Sequence, residues 1–120
     1  MRLSGQKENW MADYLLQLSY TAPAWAAMVK RPENRVEAVR KPVEKLGGQI
    51  KGFWMSFGEH DLVGILEMPD NVSAAAFVMA IAGGGACSNI KTTPPLTVDE
   101  GMAAMKKAGA SRYKPVTHKK

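Results

Sequence analysis

His60 and Asp61 stand side by side near the middle of the chain and form its best-suited pair for proton transfer. An imidazole titrates near neutral pH and a neighbouring carboxylate can set its tautomer, so His60 reads as a general acid or base and Asp61 as its partner. The same stretch, Gly58-Glu59-His60-Asp61, also reads as plain turn chemistry. In that reading Gly58 takes a positive φ, Asp61 accepts backbone N–H groups across the turn, and His60 faces solvent. No nucleophile or oxyanion donor accompanies the pair. The second histidine, His118, is near the C-terminus, and Cys87 has no Cys or His close to it, so no metal-ligand spacing is present and no motif calls for a cofactor. Cys87 is expected to be a small buried residue. Gly83-Gly84-Gly85 follows a helical run and precedes a strand, the reverse of a phosphate loop, and reads as a helix stop.

A second kind of chemistry is suited to the aromatic residues Tyr14, Tyr20, Trp25, Phe53, Trp54 and Phe57. They are able to line a pocket for a small, partly aromatic molecule, with Tyr14, Trp25 and Trp54 as the candidate ligand-binding residues; the competing role is core and dimer interface. Trp25 lies between Pro23 and Pro32, where a flap over a pocket is plausible.

The elements that must position these residues follow from periodicity. Ala12–Tyr20 alternates as a strand with Tyr14, Leu16, Leu18 and Tyr20 on one face. Pro23–Val29 reads as a short helix. Glu33–Leu46 reads as a longer one, with Pro32 in its first turn, Val36, Val39, Val43 and Leu46 on its inner face, and Arg35 among the charges on its outer faces. Pro42 is expected to kink it, because proline cannot donate to the preceding turn.

Gln49–Phe57 and Asp61–Met68 are strands joined by a tight hairpin, and both carry large apolar side chains on both faces. Val72–Ala82 contains no charge and reads as a buried core helix opened by Asp70 or Asn71. A weaker strand, Ala86–Thr93, stops at Pro94-Pro95, and Thr97-Val98-Asp99-Glu100 has the form of a capping box opening a last helix through Lys107. The order β-α-β-β-α-β is that of a ferredoxin-like α+β sandwich with an extra C-terminal helix. Helices on one side leave the other sheet face bare, and the expected cover is the same face of a second subunit, making a dimeric α+β barrel.

The chain resembles the GYD-domain family, small bacterial proteins named for a Gly-Tyr-Asp signature at the central hairpin. The resemblance runs through Tyr14–Thr21, Leu46-Gly47-Gly48-Gln49-Ile50-Lys51-Gly52-Phe53, Gly58-Glu59-His60-Asp61-Leu62-Val63 and Glu67-Met68-Pro69-Asp70. It continues in the Ala-rich helix and in Thr97-Val98-Asp99-Glu100. Where the signature has tyrosine, this chain has His60. The resemblance implies the ferredoxin-like fold and a bacterial cytoplasmic setting, and it implies no activity.

Size and charge are consistent with this. The 120 residues suffice for one domain, expected over residues 11–109, with Met1–Trp10 as an extension or Met11 as the native start. No secretory signal, membrane span or disulfide framework is expected. The net charge of +5 is concentrated at the C-terminal end: residues 106–120 hold six of the sixteen Lys and Arg and no acid, leaving ten basic against eleven acidic groups elsewhere. A basic tail, 110–120, on a near-neutral body argues against a nucleic-acid surface. Two functional readings follow: a dimer that binds a small, partly aromatic ligand between sheet and helices, or a non-catalytic interaction or regulatory module acting through its sheet face.

Overall fold

The computed structural model describes residues 11–116. The expected N-terminal extension lies outside the described residues, as does the end of the basic tail with His118. Eight elements follow in order: β1 (Ala12–Tyr20), α1 (Ala22–Lys30), α2 (Arg35–Lys45), β2 (Gln49–Met55), β3 (Leu62–Met68), α3 (Asn71–Gly83), β4 (Cys87–Thr93) and α4 (Val98–Ala110). The four strands form one antiparallel sheet in the order β2-β3-β1-β4, the strand order that a ferredoxin-like β-α-β-β-α-β chain requires.

Register decides which side chains meet. Tyr14 pairs with Leu66, Leu16 with Gly64 and Leu18 with Leu62, so the even-numbered residues of both central strands share one face. That face is the core. Leu16, Leu66 and Met68 are buried there together with Val43 of α2 and Ala74 and Phe77 of α3. The opposite face carries Leu15, Val63 and Ile65, all partly exposed.

A bulge between Ile50 and Gly52 brings apolar groups from both alternating sets of strand β2 to one face. Ile50 pairs with Leu66 and Phe53 with Gly64, and both pack on the core. An uninterrupted strand would send residues 50 and 53 to opposite faces; the extra residue restores the phase. Phe53 also depends on Gly64, since a Cβ there would stand 2.5 Å from the Phe53 ring.

The helix starts are set by side-chain caps that satisfy otherwise unpaired N–H groups. Thr21, Asn34 and Asp70 cap α1, α2 and α3. Thr97 and Glu100 close a reciprocal capping box at α4. Because Asn34 is the cap, α2 begins after Pro32 rather than around it, and it runs to Lys45 with Pro42 inside.

Two expectations are corrected. The loop between β2 and β3 spans residues 56–61 and is not a tight turn, and Gly58 is not among the positive-φ glycines, which are Gly47 and Gly85. The uncharged helix α3 is not wholly buried either. It covers Ala74 and Phe77, whereas Val72 and Met79 are exposed. Helix α4 stands out further still, with every residue exposed except the half-buried Gly101.

Candidate functional site

The 56–61 loop is closed by hydrogen bonds. Ser56 N–H donates to the Asp61 carbonyl at 2.9 Å, Ser56 Oγ donates to the His60 carbonyl at 2.6 Å, and Asp61 N–H donates to the Leu18 carbonyl at 2.8 Å. The loop is thereby sewn to β1. Its backbone needs no left-handed residue, which explains why Gly58 keeps an ordinary conformation.

Within that loop the two candidate catalytic residues part company. Asp61 Oδ2 accepts from the backbone N–H of Tyr20 at 2.9 Å and from the indole Nε1–H of Trp25 at 3.3 Å. Its carboxylate therefore joins the central hairpin to the end of β1 and to α1. His60, which the turn reading sends to solvent, is instead 6 % exposed, and its Nε2 has no hydrogen-bond partner among the described residues. Burial of an unpartnered ring nitrogen forfeits hydration without return, so packing of the imidazole must offset it.

The indole held by Asp61 faces an apolar cavity. Tyr20 and Trp25 meet edge to face, with ring centroids 5.4 Å apart and planes at 77°. Beside them lies a cavity of about 350 Å³ between α1, the start of α2 and the β2 end of the sheet. Trp25, Met28 and Val36 form its helical side, and Phe53, Met55 and Leu62 its sheet side. A narrower interior cavity of about 180 Å³ adjoins it through Tyr20, Arg35, Phe53 and Leu62 and reaches Cys87.

Of the three candidate ligand-binding residues, Trp25 and Trp54 line this apolar cavity and Tyr14 does not. Tyr14 is buried on β1, where its hydroxyl donates to Asn71 Oδ1. Trp54 pairs with Val63 and is 55 % exposed; a Cβ at Gly52 would fall 2.4 Å from its ring, so the indole lies over that glycine. Neither His60 nor Asp61 lines the cavity. The aspartate reaches it only through Trp25.

Arg35 is the residue that the periodicity hid. Expected on the outer side of α2, it borders both cavities and makes an ion pair with Glu33. Its charge is felt inside: burial raises the thiol pKa of Cys87, with Arg35 opposing that rise. Burial likewise raises Tyr20, followed by the Cys87 charge, again against Arg35. Both groups therefore stay neutral at pH 7. One signal was available in the sequence: Lys30, Arg31 and Arg35 all fall within ten residues after Trp25.

Among the described residues no group of three or more His, Cys, Asp or Glu is arranged to hold a metal ion, and no helix is long and apolar enough to cross a membrane. Against the profiles of known families, residues 14–105 match the GYD domain. The chain belongs to the GYD-domain family. The match spans β1 through most of α4, so it includes the hairpin, the cavity and its aromatic wall. The comparisons with curated proteins and with solved structures return no match.

Proposed function

We propose that this GYD-domain protein works as a homodimer, or a higher even-numbered oligomer, that holds a small, partly aromatic ligand in the cavity between α1, α2 and the sheet. The observation that carries the reading is the cavity itself, about 350 Å³ with Trp25, Phe53 and Leu62 on its walls. Mostly apolar concavities of this size, with a few polar groups at the rim, are the usual form of small-molecule sites. Asp61 serves as a positioning residue. By accepting from Trp25 Nε1 and Tyr20 N–H it fixes the aromatic wall to the rigid sheet.

The test is a calorimetric and thermal-shift screen of aromatic and aliphatic small molecules against the protein and its Trp25→Ala variant. Micromolar to millimolar binding that the variant weakens supports the site. No binding, or binding indifferent to Trp25, overturns it.

Oligomerisation is supported by apolar side chains left exposed among the described residues: Val72 and Met79 on the uncharged α3 and Val98, Met102 and Met105 along α4, with Leu15, Val63 and Ile65 partly exposed on the outer sheet face. A thirteen-residue helix exposed at every residue but Gly101 is marginal in water, near the ~12–15-residue limit for isolated helices, so α4 calls for a surface to lie on. Light scattering at micromolar concentration should give at least twice 13.1 kDa. A monomer would remove the barrel. The same α4 stripe favours the second reading, an interaction or regulatory module without a ligand. A dimer that binds nothing in the screen would leave that reading standing.

A further inference from the structure

Beside the apolar cavity, and sharing Tyr20, Met28, Glu33 and Arg35 with it, is a wider and more polar recess. It adds Lys30 and Arg31 to its lining. The charged groups facing this mouth are three cations, Lys30, Arg31 and Arg35, against one carboxylate, Glu33. Glu33 is engaged by Arg35, and among the described residues neither Lys30 nor Arg31 has a carboxylate partner. An apolar chamber thus opens onto a mouth of net positive charge on a body that is otherwise close to neutral.

We infer that the ligand is an amphipathic organic anion, an apolar and partly aromatic body bearing a carboxylate. The inference rests on the ligand-binding reading above and specifies its chemistry. The body enters between Trp25 and Phe53, and the carboxylate remains at the mouth, where Arg35 offers a planar fork and Lys30 and Arg31 add positive potential. The N-terminus of α2, capped at Asn34 beside Arg35, adds its partial positive charge in the same place. The Glu33–Arg35 pair orients the guanidinium without neutralising the mouth. Lys30 and Arg31 also lie at the C-terminal end of α1, where cations favour the helix. The experiment therefore has to separate that structural role from recognition.

Isothermal titration of matched pairs makes the separation: 2-naphthoate against 2-naphthamide, cinnamate against cinnamamide, and decanoate against decanamide, at low and at 0.5 M salt. At low salt the carboxylate of at least one pair should bind about tenfold or more tightly than its amide, and salt should shrink the difference. In Arg35→Gln and in the double variant Lys30→Gln, Arg31→Gln, the carboxylate should lose most of that advantage while the amide's affinity and the melting temperature stay close to wild type. Equal affinity for carboxylate and amide, with both binding, would overturn the anion inference and leave the cavity as a neutral-ligand site. A preference unchanged by all three substitutions would also overturn it. Failure of every compound to bind would remove the cavity reading together with the inference built on it.

Discussion

The central hairpin loop and the apolar cavity both meet at Trp25, and they use their polar residues in opposite ways. In the loop, Asp61 spends its carboxylate on Tyr20 N–H and Trp25 Nε1, and His60 is buried away from the cavity. At the cavity, the mouth has Lys30 and Arg31 without a carboxylate partner among the described residues. Residue types that look reactive in sequence are consumed in holding the fold, while those that look like ordinary helix-surface charges face open space. Availability, which depends on what else each group touches, separates the two regions more sharply than intrinsic chemistry does.

The strongest way to break this contrast is to remove the strut. Asp61→Ala leaves two N–H donors without their acceptor, and we expect a loss of about 1–3 kcal/mol in stability by denaturant titration. Trp25 emission should change as well. If stability and emission both stay at wild type, the carboxylate is free for other work and the division of roles between loop and cavity fails.

His60 sharpens the comparison from the other side. His60→Ala should cost about 1–3 kcal/mol as a buried side chain is lost, whereas His60→Leu, which refills the space and removes the unpartnered Nε2, should come within about 1 kcal/mol of wild type or above it. Chemical denaturation of the pair measures this. A leucine variant as unstable as the alanine one would show that the imidazole makes a polar contact essential to the loop.

Trp25→Phe keeps an aromatic wall but deletes the donor to Asp61, which still has Tyr20 N–H. A cost of about 1 kcal/mol or less is expected, with ligand binding largely retained. Loss of binding with unchanged stability would move the indole N–H from the strut to the site.

The smallest effect should come from Gly58→Ala. Gly58 has no positive φ, and a Cβ there meets nothing within 4 Å, so the melting temperature should be nearly unchanged, within the ~0.5 kcal/mol typical of surface substitutions. A marked drop would restore Gly58 as the maker of the turn.

Local pattern was sufficient for most of the fold. Strict alternation over Ala12–Tyr20 set β1 and its buried face, and Asp70 and Thr97 marked the starts of α3 and α4, because both signals depend only on neighbours along the chain; the Thr21 and Asn34 caps of α1 and α2 emerged only with the structure. The Gly47-Gly48 and Gly83-Gly84-Gly85 runs likewise fell at helix ends. The family was legible for the same reason: its resemblance is carried by contiguous segments, from Tyr14 through the hairpin to the last helix.

What the tertiary structure alone decided is whatever required two distant segments to meet. The bulge that returns Phe53 to the core depends on its register with Gly64, and alternation counted along β2 alone assigns the phase wrongly beyond Ile50. The burial of His60 and the capture of Trp25 by Asp61 join a loop to a helix thirty-six residues earlier. Arg35 became part of the cavity mouth because α1 and the sheet end beside it. A helical wheel counts Arg35 as a surface charge, since periodicity reports which face of a helix is apolar and cannot report what stands opposite a polar side chain at its end.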